Sequence, residues 1–186
     1  MTTQIASRIL VVDDEQAIHR SYAHILTPVI SAPSDESLDR LEMELFGDMP
    51  FADYPHMAVT SCDQGEKAVE LVRDATASGE SFSVAFIDMR MPPSMHGIAA
   101  ATEINVIDPA IEIAFVTGYS DLSHEQIMLS FPPGKQLYFV RKPFDGNDIW
   151  DLAAGLSLTH AGHEVTDASV QSVMQKYRMM SHRMVG

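Results

Sequence analysis

The chain has 186 residues, enough for one well-packed core with a modest appendage and too few for two ordinary domains. With 46% hydrophobic and 20% charged residues it has a globular composition, and a formal charge of −14 argues against a nucleic-acid surface, which needs clustered Lys and Arg. No apolar run reaches the roughly 20 residues of a spanning helix. The early apolar block Ile9–Val12 runs straight into Asp13, Asp14 and Glu15, so a cytoplasmic protein with no membrane contact is expected, and the single Cys62 agrees with a reducing compartment.

In chain order, five short apolar runs have the length and residue types of strands: RILVV (8–12), HMAVTS (56–61), SVAFI (83–87), IEIAFV (111–116) and QLYFV (136–140). All but the second are nearly continuous in apolar residues, as strands covered on both faces are. Between and after them lie stretches with the three- and four-residue spacing of a helix face. These are Ile18, Tyr22 and Ile25; Ala68, Leu71, Val72 and Ala75; Ile98, Ala101 and Ile104; and Ile149, Leu152, Ala153 and Leu156. The alternation predicts an α/β fold, a parallel sheet of five strands with five helices on both faces, over residues 8–158.

Two pieces break the pattern. Residues 27–55 hold Pro28, Pro33, Pro50 and Pro55 around the helix-like SLDRLEMELFG, and so long a connection reads as an insertion between the first helix and the second strand. Residues 159–186 carry 3 basic and 2 acidic side chains, whereas the preceding part has a net charge of −15. Within them Val170, Val173, Tyr177, Met180 and Met184 form a narrow apolar seam. The expected organisation is a domain over 1–158, with its insertion at 27–55, and a helical tail at 159–186. That tail is expected to lead to an effector or to a dimer partner.

In an open parallel sheet, ligands bind beyond the carboxyl ends of the strands. The first strand ends in Asp13 and Asp14, the third in Asp88, the fourth in Thr117 and Gly118, and the fifth in Arg141, Lys142 and Pro143. Carboxylates gathered at one edge repel, and a divalent cation relieves that repulsion. Oxygen-only ligands at a shallow edge favour Mg²⁺ over zinc. A lysine and a threonine facing the cation suit the oxygens of a phosphoryl group, which makes Asp88 a candidate nucleophile toward phosphate.

The segments ILVVDDE, FIDMRMP, FVTGYSD and VRKPFD, in this order, resemble the receiver domain of two-component response regulators. The loop MPPSMHG, with Pro92 and Pro93 ahead of Gly97, resembles a double-proline subset of that family. The resemblance implies a flavodoxin-like sheet in the order 2-1-3-4-5 and a signalling phosphoacceptor rather than an enzyme acting on other molecules. It implies that Asp88 takes a phosphoryl group from a histidine kinase or phosphotransfer protein. Asp14, Asp88 and the backbone carbonyl of Arg90 would bind Mg²⁺, with Asp13 contributing through a water. Thr117 and Lys142 would contact the phosphoryl oxygens. Phe139 would occupy the aromatic switch position, with Tyr138 beside it as the alternative, on a face formed by the fourth helix, fifth strand and fifth helix.

Two other functions fit parts of the pattern. One is a Mg²⁺-dependent phosphatase with an aspartyl nucleophile, although such enzymes place the nucleophile and a second acid as Asp-x-Asp on the first strand. The other is a receiver-like binding module that does not use phosphate.

Overall fold

The computed structural model describes residues 6–27, 56–91, 96–118 and 124–178. All but Thr27 of the expected insertion therefore lies outside the described residues, as do Pro92, Pro93, Met180 and Met184. The elements in order are β1 (Ala6–Val12), α1 (Gln16–Leu26), β2 (His56–Cys62), α2 (Gly65–Ser78), β3 (Val84–Asp88), α3 (Gly97–Ile107), β4 (Glu112–Thr117), α4 (His124–Met128), β5 (Leu137–Arg141), α5 (Gly146–His160) and α6 (Ala168–Tyr177). All strand pairs are parallel and the sheet order is β2-β1-β3-β4-β5, the doubly wound arrangement expected. None of the described helices is long and apolar enough to cross a membrane.

The sheet explains the strand patterns. β3 is central and buried at every residue, so it is written in apolar residues up to its terminal Asp88. β2 lies at an edge and alternates between buried positions such as Met57 and exposed ones such as Ala58, which is why it looks less continuous in sequence. Alternation then splits the core into two layers. Leu10, Val12, Ala85, Ile87, Ile113 and Phe115 pack with α2 and α3, while Ile9, Val11, Val84, Phe86, Ala114 and Val116 pack with α1 and α5. Each fully buried large side chain contributes on the order of 1.5–3 kcal/mol. The expected helix faces are the buried ones: Ala68, Val72 and Ala75 on α2, Ala101 and Ile104 on α3, and Ile149, Leu152, Ala153 and Leu156 on α5.

The C-terminal segment folds back on the domain. α5 runs on to His160, two residues past the expected boundary, and the chain then reverses through Gly162, whose φ of 75° is the left-handed conformation that glycine adopts most readily. Asp167 caps α6 by accepting hydrogen bonds from the Ser169 and Val170 amides at 2.7 and 3.2 Å. Val170 is fully buried, and Val173, Met174 and Tyr177 pack against the α1/α5 layer. Gly155 of α5 permits this approach, because a Cβ there would lie 2.7 Å from Val170 Cγ1 and would also strike Met174 Sδ. Lys176 Nζ and Tyr177 Oη both donate to Asp148 on α5. The described part of the apolar seam thus faces the chain's own domain.

Candidate functional site

Three strand ends form the site. The pairing of each ladder continues one residue past its strand. Asp13 N donates to Cys62 O at 3.1 Å, Met89 N to Val116 O at 3.1 Å, and Lys142 N to Thr117 O at 2.8 Å. The backbone at Asp13, Asp88 and Lys142 is therefore held by the sheet rather than by a free loop. The two-residue period does the rest. Asp13 is in phase with Ile9 and Val11, Asp88 with Val84 and Phe86, and Lys142 with Tyr138 and Val140, all members of the α1/α5 layer. Thr117 is in phase with Ile113 and Phe115 of the opposite layer and is buried at the end of β4.

Lys142 Nζ donates to Asp13 Oδ2 at 2.6 Å and to Asp88 Oδ2 at 2.8 Å. Carboxylate oxygens of Asp13, Asp14 and Asp88 all lie within 4.8 Å of one another, with Asp13 and Asp88 buried and Asp14 exposed. The remaining oxygens are oriented by backbone amides: Glu15 N donates to Asp13 Oδ1 at 2.9 Å and Arg90 N to Asp88 Oδ1 at 3.0 Å. Burial pushes the Asp13 carboxyl above its ordinary value, against the hydrogen bonds from Lys142 and the Glu15 amide, and the nearby Asp88 adds to the rise. For Lys142 burial pulls the other way, but the two carboxylates outweigh it and hold the ammonium above its ordinary value. Lys142 thus stays charged, and Asp13 and Asp88 share its ammonium.

This donor set fits a small hard cation. Among the described residues, three carboxylates converge with no imidazole or thiolate in the group, one of them is open to solvent, and their number exceeds the single ammonium of Lys142 that pairs with two of them. Gly97, at the start of α3, lets this site close. A Cβ there would collide with the Asp88 carbonyl oxygen and lie 2.8 Å from the Asp88 carbonyl carbon. The peptide between Lys142 and Pro143 is cis.

The expected site residues separate into groups. Asp13, Asp14, Asp88 and Lys142 are together. Thr117 stands one residue beyond Val116, the register partner of Asp88. Phe139 pairs in register with Phe115 and is half-buried on the Thr117 side of the sheet, whereas Tyr138 faces the α1/α5 layer. Sequence reasoning missed Glu15, whose carboxylate lies 3.9 Å from Lys142 Nζ, and His19, whose Nε2 lies 2.6 Å from the Asp13 carbonyl oxygen. The run DDEQAIH held the signal, since the turn after β1 brings its first helical residues back over the strand end. Tyr22 was expected as part of a helix face and is so. Its ring packs on Phe86 and Phe144, and its hydroxyl has no hydrogen-bond partner among the described residues.

A family model described as response regulator receiver domain matches residues 50–154. The chain belongs to the response regulator receiver family. No curated protein sequence matches it. Among solved structures, a CheY-like receiver domain protein from Methanospirillum hungatei is similar at 20% identity and a TM-score of 0.58, covering 84% of this chain and 98% of that one. A response regulator receiver protein from Sinorhizobium medicae is similar at 21% identity and a TM-score of 0.55, covering 83% of this chain and 95% of that one. The CheX-CheY-BeF3-Mg complex from Borrelia burgdorferi contains a chain similar at 17% identity and a TM-score of 0.52, covering 78% of this chain and 84% of that one. At these identities the likeness is one of fold, and the receiver fold is the one the order β2-β1-β3-β4-β5 describes.

Proposed function

We propose that this receiver is a phosphorylation-driven switch in which Asp88 is the phosphoacceptor. The observation that carries the reading is the placement of Lys142 Nζ between the buried carboxylates of Asp13 and Asp88, at 2.6 and 2.8 Å. A carboxylate oxygen of Asp88 attacks phosphorus on a phosphohistidine of a partner kinase or phosphotransfer protein. The P–N bond breaks, its electron pair stays on the imidazole, and an acyl phosphate forms on Asp88. Asp14, Asp88 and the Arg90 carbonyl would hold Mg²⁺, with Asp13 contributing through a water, and the cation would neutralise charge on the transferring group. Lys142 stays protonated and moves from pairing the acids to pairing the phosphoryl oxygens, and the Thr117 hydroxyl donates to another of them. The solved relative carrying BeF3 and Mg in its complex supports this use of the fold.

The acyl phosphate adds about two negative charges at neutral pH. Drawn to that charge, Thr117 leaves room behind it on the side where Phe139 lies, so Phe139 is the better switch residue than Tyr138. The readout is the face formed by α4, β5 and α5 in a cytoplasmic signalling pathway. Incubation with acetyl phosphate and Mg²⁺ is expected to add one phosphoryl group to the wild type and none to Asp88→Asn, as read by intact mass. Labelling of Asp88→Asn to the same extent, or steady turnover of phosphomonoesters by the wild type, would refute the reading, the latter in favour of a phosphatase.

A further inference from the structure

Part of the face formed by α4, β5 and α5 is occupied by the chain's own helix α6. This helix lies on α5 and reaches the outer edge of β5, where Arg178 pairs with Tyr138 in an antiparallel bridge and its Nε donates to Gln136 Oε1. The fit is specific, since Gly155 leaves the space that Val170 and Met174 fill, and Asp148 accepts from Lys176 and Tyr177. The attachment is nevertheless light. Of the ten residues of α6 only Val170 is buried, and the Lys176 side chain is 58% exposed. A groove of about 580 Å³, lined by Met174 and Gln175 of α6 and by Met128 and Tyr138 of the domain among others, leaves α6 unsealed toward α4. A helix of ten residues does not persist alone in water, so undocking and unfolding of α6 are one event. Elements with so few buried contacts open at far lower cost than a central sheet. Residues 161–167, outside any helix or strand and turning at Gly162, let α6 leave while α5 stays in place.

We propose that α6 is an internal inhibitor of this face, released by the acyl phosphate on Asp88; such regulation rests on Asp88 being the phosphoacceptor. The link runs through β5 and its flanks. Lys142 and Phe139 are the groups there that shift with phosphorylation, while Gln136 and Tyr138 hold the end of α6. Tyr138 and Phe139 share a peptide, so a displacement of β5 that accompanies the inward turn of Phe139 also moves the backbone that bridges Arg178. The docked helix fits β5 as Lys142 holds it at rest, against Asp13 and Asp88. Once Lys142 turns to the phosphoryl oxygens, the acids no longer fix that position, and the few contacts of α6 are the first to yield. Coupling of this kind is reciprocal, so whatever loosens α6 favours the phosphorylated form. A partner reading α5 and β5 thus meets a covered surface in the resting protein and an open one after phosphorylation.

The test is hydrogen exchange on the full chain, with beryllofluoride and Mg²⁺ as the mimic of the acyl phosphate. Slower exchange over residues 84–91 reports that the mimic has bound at Asp88. Exchange over 168–177 is then expected to rise at least about fivefold, the lower end of ordinary coupling, with neither change in Asp88→Asn. Val170→Ser gives the reverse reading, because it loosens α6 at its one buried residue and lies outside the acidic site. Half-saturation of that variant by beryllofluoride should come at a concentration at least about twofold lower than for the wild type. Bound mimic with unchanged or slower exchange over 168–177, or equal half-saturation in Val170→Ser, overturns the inhibition and leaves Asp88 as the acceptor. No binding by the wild type overturns the proposed function and the inhibition together.

Discussion

Lys142 joins Asp13 and Asp88 across strands that are not its neighbours. β4 separates β5 from β3, and β4 and β3 together separate it from β1, yet Nζ reaches the two carboxylates at 2.6 and 2.8 Å. The ammonium therefore fastens three strand ends at the rim. Replacing it by an apolar chain of similar length leaves two buried acids without their ammonium partner. We expect Lys142→Met to lose about 2–4 kcal/mol of stability in metal-free buffer. Millimolar Mg²⁺ should recover part of the loss and stabilise the variant more than the wild type. Urea unfolding with and without Mg²⁺ reads both effects, and a variant midpoint indifferent to Mg²⁺ would count against a cation site.

Gly97 tests how closely the start of α3 must approach the acceptor strand. Gly97→Ala places a methyl group against the Asp88 carbonyl. The backbone must shift, with an expected cost of about 1–3 kcal/mol for the overpacked contact. Because the displaced atoms belong to Asp88, phosphorylation by acetyl phosphate should fall further than stability alone explains. Labelling rate compared at temperatures of equal folded fraction separates the two.

Gly155 offers a way to remove α6 without touching the sheet. Gly155→Ala sets a Cβ 2.7 Å from Val170 Cγ1 and into Met174 Sδ, so α6 is expected to lift from α5. The loss is bounded by the burial of Val170, about 1.5–3 kcal/mol. Hydrogen exchange should accelerate across 168–177 while β1, β3 and β4 keep their protection. Unchanged exchange in α6 would mean that the helices can slide to accept the methyl group.

Acid should release the same helix. Burial pushes the Asp148 carboxyl up, but hydrogen bonds from Lys176 and Tyr177 outweigh it and hold the group below its ordinary value. A carboxyl depressed by folding contributes stability that is complete above its unfolded value and is lost as pH falls through the lower folded value. The contact is therefore intact at neutral pH and fails only below the usual carboxylate range. Tyr177 ring signals followed by NMR should show a transition there, and Asp148→Asn should abolish it.

The strands and the acid set were legible because burial on both faces and placement at a strand end leave local marks. VAFID is apolar since β3 is central, and its aspartate stands out because nothing in a buried strand would tolerate it without a partner. The docking of α6 was not legible. A seam such as Val170, Val173 and Tyr177 looks the same whether it meets another copy or its own domain, and the deciding feature, Gly155, reads in sequence as a weak spot in a helix. Glu15 and His19 were missed because their relation to the site depends on how the chain turns after β1.

β1 pairs on one side with β2 and on the other with β3, and neither begins until residue 56. Among the described strands, β1 therefore finds its first partner only once the ribosome has made β2, which ends at Cys62, and closing such long loops is slow. Until then Ile9, Leu10, Val11 and Val12 have no strand to pair with, so the newborn chain is most prone to clumping early in its synthesis.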